Sequence, residues 1–148
     1  MCRNLKHGQK RVIIVGGGLF GAVTARLLDQ LNVFQVVLID PNKHFDNASS
    51  LARQIIHPEK QDQRSVPFKE IMKNGVFLQA CATKITENEV FIGDVAIPYE
   101  FCILGMGTRS NISLQTGLQT SFKMQRYRRK LQESKNFVIV GAGTFYLS

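Results

Sequence analysis

Apolar positions along the chain change their spacing several times, and each spacing predicts a different element. Val12 to Val15 is an unbroken run of β-branched residues ending in glycine, the pattern of a strand buried on both faces of a parallel sheet. Leu19 to Leu31 then places apolar residues at helical intervals, Ala22, Ala25 and Leu28 among them. Val36 to Ile39 is a second apolar strand, and it ends in Asp40. Pro41 stops it, and the Asn, Ser and Asp content that follows predicts a loop over the carboxyl ends of the strands, with Ser49 or Ser50 capping a short helix around Leu51 to Ile56. Gln61 to Lys73 is polar and then helical, with Pro67 suited to a first turn and Phe68, Ile71 and Met72 on one side. From Gly75 the period shortens to that of strands. Val76 to Ala80, Lys84 to Thr86, Glu89 to Ile92 and Val95 to Pro98 are divided by turn signals at Asn88 and Gly93-Asp94, which predicts a small antiparallel meander. Phe101 to Leu104 is a further apolar strand, stopped by Gly105-Met106-Gly107. Ile112 to Thr120 reads as a linker, and Phe137 to Val140 as a last strand.

The glycines between the first strand and helix carry the chemistry. Gly16, Gly18 and Gly21 have the spacing G-x-G-x-x-G, with Gly17 beside them, and Asp40 closes the next strand. Gly16 permits a tight turn, Gly18 lets backbone approach a pyrophosphate, and Gly21 lets the helix pack on its strand, while N–H groups at the helix start meet the phosphate charge. Asp40 can accept hydrogen bonds from a ribose and would repel a phosphate on it. The unit therefore predicts binding of FAD or NAD rather than NADP, and does not separate the first two. Lys43 and Arg53, in the loop after Asp40, are candidates for pairing with the cofactor.

Composition adds limits. The chain has 148 residues, 44% hydrophobic and 20% charged, as expected of a globular domain with a core. No apolar run approaches the length of a membrane span, and the basic start MCRNLKHGQK gives way to the first strand too early for a signal or transit peptide. Cys2, Cys81 and Cys102 form no C-x-x-C pair, which fits a reducing compartment and excludes a disulfide-exchanging centre; Cys81 and Cys102 read as buried, inert thiols. His44 and His57 have no ligand partners at useful spacing, so no metal is expected. The net charge of +8 gathers at Lys123, Arg126, Arg128, Arg129, Lys130 and Lys135, which alternate with Met124, Tyr127 and Leu131 as on an amphipathic helix with a solvated basic face. No nucleic-acid module accompanies them, and no nucleic-acid partner is expected.

NFVIVGAG near the end repeats RVIIVGGG at the start, with 125 residues between Gly16 and Gly141 by subtraction (141 − 16). A glycine-rich βαβ unit ending in an acid, a β meander, an apolar strand leading to glycine and a second glycine-rich unit together resemble the two-dinucleotide-domain flavoproteins. Within these the chain is most similar to the apoptosis-inducing-factor-like group, which includes the ferroptosis suppressor flavoproteins, and next to type II NADH:quinone oxidoreductases. The motifs that carry the resemblance are VGGGLFG at Val15 to Gly21, LID at Leu38 to Asp40, VAIPYEFCILGMGT at Val95 to Thr108 and VGAG at Val140 to Gly143.

The resemblance implies an α/β, Rossmann-like FAD/NAD(P)-binding fold, a parallel sheet with a small antiparallel meander. It implies a FAD-binding domain over 1–112, a linker and basic helix over 113–135, and the start of a second, NAD(P)-binding unit over 136–148. Gly16, Gly17, Gly18, Gly21 and Asp40 would hold FAD, with Ala82 near the adenine and Gly107 at the glycine of the family's Ala-Thr-Gly; Gly141 and Gly143 would begin the site for NADH or NADPH. GMG stands here for Ala-Thr-Gly, and Tyr146 stands where the second motif's third glycine belongs. The implied function is that of the N-terminal, truncated part of an oxidoreductase that moves hydride from NAD(P)H to flavin and electrons to a quinone-like acceptor, with the flavin and no side chain doing the chemistry. The alternative is a dinucleotide-binding module without turnover. The expected setting is the cytoplasm, with a membrane surface as a peripheral location.

Overall fold

The computed structural model describes residues 9–46, 65–107, 126, 128–136 and 138. The chain divides into two units, Met1–Phe45 with Val66–Thr108, and Asp46–Ser65 with Arg109–Ser148.

Hydrophobic runs in the first unit become a parallel sheet. β1 (Lys10–Val15), β2 (Phe34–Asp40), β5 (Val76–Gln79) and β9 (Phe101–Leu104) line up in the order β5-β2-β1-β9. Ile14 lies opposite Leu38 on one side and Ile103 on the other, and all three pairings are parallel. Helix α1 (Leu19–Leu31) crosses between β1 and β2. The meander of β6 (Lys84–Ile85), β7 (Glu89–Ile92) and β8 (Val95–Pro98) is antiparallel, pairing Val90 with Ile97.

Alternation along β1 assigns each side chain to a layer. Val12 and Ile14 pack with Ala22, Ala25, Val36, Leu38, Phe68 and Met72, the helical side. Ile13 and Val15 pack with Val37, Ile39 and Val90, the meander side. The sheet is thus covered on both faces, which explains why its strands read as unbroken apolar runs. α1 turns its smallest residues inward: Gly21, Ala22 and Ala25 are buried, while Leu19, Phe20, Val23, Leu27 and Leu31 are exposed.

Each strand expected in this unit is present. Two more were not expected: β3 (His44–Asp46) and β4 (Ser65–Pro67), which pair with each other where the composition reads as a loop and a polar approach to a helix. The helix that follows, α2 (Phe68–Ile71), is a single turn with Pro67 at its N-cap. The expectation of buried cysteines is met in part at Cys102, which is half-buried, and fails at Cys81. Cys102 lies in β9 against the meander-side core, whereas Cys81 is exposed because it sits beyond the end of β5, where the chain has left the sheet.

In the second unit the described residues include a helical stretch at 128–133. Arg129 Nε and Glu133 Oε1 lie 3.2 Å apart one turn along it; Arg126, Arg129 and Lys130 are exposed, but Leu131 is exposed too and Arg128 is half-buried, so the described residues do not divide into the expected basic and apolar faces. The expected helix at 51–56, the linker at 112–120, the strand at 137–140 apart from Val138, which is exposed, and residues Lys123, Met124 and Tyr127 lie outside the described residues.

Candidate dinucleotide site

A parallel sheet opens a crevice beyond its carboxyl ends where the connections leave in opposite directions. Here that point lies between β1 and β9, because β1 continues through α1 to β2 on one side while β9 joins on the other. The glycine turn occupies it. Gly16 N–H donates to the Ile39 carbonyl at 2.8 Å, and Gly105 N–H donates to the Val15 carbonyl at 2.8 Å, so the ends of three strands are stitched around the turn.

Every glycine of the motif meets a different environment. Gly16 has φ +102, and a methyl group there would come within 2.3 Å of the Gly105 carbonyl oxygen. At Gly21 a methyl would stand 1.8 Å from the Gly16 carbonyl oxygen, so only glycine lets α1 come down onto the turn. At Gly17 a methyl would stand 2.3 Å from the Phe68 ring and 3.2 Å from the Asp40 Cβ. Gly18 differs from all of them: nothing lies within 4 Å of where its side chain would be, and its φ of −62° suits any residue. Glycine there leaves room outside the fold.

The open space lies at the start of α1. Gly18 is the N-cap and offers no side chain to it, and the first turn carries no acid. The positive end of a 13-residue helix, with N–H groups that have no carbonyl in their own helix, therefore faces the crevice. A pyrophosphate fits such a cradle by charge and by hydrogen-bonding capacity.

Asp40 completes the wall. Its side chain is 9% exposed; Oδ2 accepts from Gly17 N–H at 2.7 Å, and Oδ1 accepts from Asn42 N–H at 2.8 Å and Asn42 Nδ2 at 3.0 Å. The carboxylate thus faces the motif as the sequence predicts. Lys43 is exposed just beyond it, and its carbonyl accepts from Phe68 N–H at 3.1 Å. Ala82 packs beside Ala80 on the meander-side core, and Ala80 N–H donates to the Asp40 carbonyl at 3.1 Å. Gly107 has φ +69 and open space where a side chain would stand; the close packing expected of that loop is made at Gly105, where a methyl group would come 3.5 Å from the Gly16 oxygen and 3.3 Å from the Phe20 ring. Arg53, Gly141 and Gly143 lie outside the described residues.

Sequence patterns missed Gly105 and Phe68. The GMG repeat hides which of its glycines meets the turn, and Phe68 reads only as an apolar position on a short helix. Its ring stacks on Phe77 with centroids 4.8 Å apart and supports Gly17 from below.

Such a turn at the switch point of a parallel sheet, with an acid at the end of the neighbouring strand, places the molecule among the α/β dinucleotide-binding proteins. More narrowly, the chain belongs to the pyridine nucleotide-disulphide oxidoreductase family, whose pattern matches residues 5–145. Members are FAD-dependent oxidoreductases that work with NAD(P)H. The chain is 26% identical over 143 residues to apoptosis-inducing factor homolog A of Dictyostelium discoideum, covering 92% of this chain and 35% of that protein. Sulfide:quinone oxidoreductase from Aquifex aeolicus superposes with a TM-score of 0.67 at 22% identity, over 84% of this chain and 32% of that one. NDH2 from Plasmodium falciparum, solved in complex with NADH, gives 0.64 at 18% identity, over 82% and 28%. The chain therefore spans about a third of the length of these relatives. Among the described residues no helix is long and apolar enough to cross a membrane.

Proposed function

We propose that this chain is the FAD-binding N-terminal part of an NAD(P)H oxidoreductase whose electrons pass to a quinone-like acceptor. In this reading residues 1–112 form the FAD-binding domain, 113–135 connect it, and 136–148 begin the nicotinamide-binding unit through Gly141 and Gly143. The observation that carries it is the room left at Gly18 beside an uncapped helix start.

The residues present fit the group. Leu19 and Phe20 N–H at the helix start would hold the pyrophosphate, Gly18 would let it approach, and Asp40 would accept from the adenosine ribose. Lys43 and Arg53 would lend positive charge, and Ala82 and Gly107 would line the neighbouring walls. The bound flavin supplies the redox chemistry by accepting hydride and passing electrons on. The protein would orient it. The quinone in the acceptor reading comes from the sulfide:quinone oxidoreductase named above, and a peripheral location at a membrane surface goes with it.

A second reading, a dinucleotide-binding module without turnover, is favoured by Tyr146, which stands at the third glycine position of the second motif. One experiment tests both. Calorimetric titration of the purified chain with FAD should show binding, and no binding of FAD or NADH overturns both readings. Bleaching of the bound flavin on NADH addition, read by absorbance, would overturn the module; binding without bleaching is the result expected here, because only residues 136–148 of the nicotinamide-binding unit lie in this chain.

A further inference from the structure

The ribose wall is built from two residues rather than one. A carboxylate has about four lone-pair positions. At Asp40 both positions of Oδ1 are taken by Asn42, through its N–H at 2.8 Å and its Nδ2 at 3.0 Å, and one position of Oδ2 is taken by Gly17 N–H at 2.7 Å. One acceptor position remains. A ribose presents two neighbouring hydroxyl groups, so Asp40 held in this way can receive only one of them. Asn42 fills the deficit: because its Nδ2 is pinned to Asp40, its own Oδ1 is left as an acceptor on a half-buried side chain next to the carboxylate.

We infer that Asn42 is a specificity-determining residue, its side-chain oxygen taking the second ribose hydroxyl while its N–H groups hold the Asp40 carboxylate on the first. This rests on the dinucleotide reading above. Asn42 adds an acceptor without adding charge, where a second acid would place like charges side by side, and it tethers the loop after β2 to the glycine turn through Asp40. Pro41, between the two residues, fixes its own backbone and shortens the freedom of the loop.

Competition against FAD by ADP, 2′-deoxy-ADP and 3′-deoxy-ADP tests it, on the native chain and on Asn42→Ala. The native chain should prefer ADP over each deoxy compound by about threefold to tenfold, the size of one hydrogen bond. Asn42→Ala should lose the preference against one deoxy compound and bind that compound as the native chain does. If Asn42→Ala weakens all three ligands by the same factor, the residue only supports the fold and the inference falls. If it changes none of them, the inference falls as well. If the native chain binds neither FAD nor ADP, the dinucleotide reading itself falls, which the other outcomes leave standing.

Discussion

Asp29 shows how much one side chain can hold. It is 4% exposed at the carboxyl end of α1, where the helix dipole disfavours an acid. It is kept there by three backbone N–H groups, of Lys73 at 2.6 Å, Asn74 at 3.1 Å and Gly75 at 2.5 Å, and so fixes the turn that launches β5. Asp29→Ala would strand those donors and should cost about 3 kcal/mol, read as a lowered urea midpoint; Asp29→Asn, which keeps one oxygen, should cost less. Nothing in the sequence marks this role, because the partners lie 44 to 46 residues away and are backbone groups without a residue signature. The two thiols give a second check at this scale. Burial pushes the Cys102 thiol above its ordinary value, so it stays protonated further into alkaline pH and its neutral form is the one the fold favours. At pH 8 iodoacetamide should modify exposed Cys81 well before Cys102, and the rate at Cys102 should rise only as the pH climbs past the usual thiol range.

Elements were legible where one rule governed them. β1 and β2 are buried on both faces and read as apolar runs, and the meander reads from Asn88 and Gly93-Asp94. β3 and β4 were not legible, since each is three residues long, too short for a period to repeat. The facing of α1 was legible only in part. Leu28 packs half-buried against the core, but Leu19, Phe20, Val23, Leu27 and Leu31 are exposed, against the usual rule, because the close approach made by Gly21 puts the alanines Ala22 and Ala25 nearest the sheet. Ala25→Leu should therefore unfold the unit or cost several kcal/mol by overpacking, whereas Leu27→Lys should alter stability by no more than about 0.5 kcal/mol. Thermal melts of the two variants decide it, and a destabilised Leu27→Lys would mean that the helix faces the other way.

At the scale of the whole molecule, most of the candidate site was readable from residue types and their spacing, because Gly16, Gly18, Gly21 and Asp40 each have a task set by backbone geometry. What sequence could not supply was their division of labour. Gly16, Gly17 and Gly21 are required by the fold itself, each with a neighbour where a side chain would stand, and Gly18 alone is not. On the proposed reading, function and stability therefore separate at adjacent positions of one motif. The most direct measurement is a thermal melt of the native chain, Gly18→Val and Gly21→Ala, each with and without FAD. At a hundred times the dissociation constant FAD should raise the native melting temperature by roughly 5–10 °C. Gly18→Val should melt where the unliganded native chain does and gain nothing from FAD, and Gly21→Ala should melt far lower. A Gly18→Val chain that FAD stabilises as fully as the native one would contradict the site.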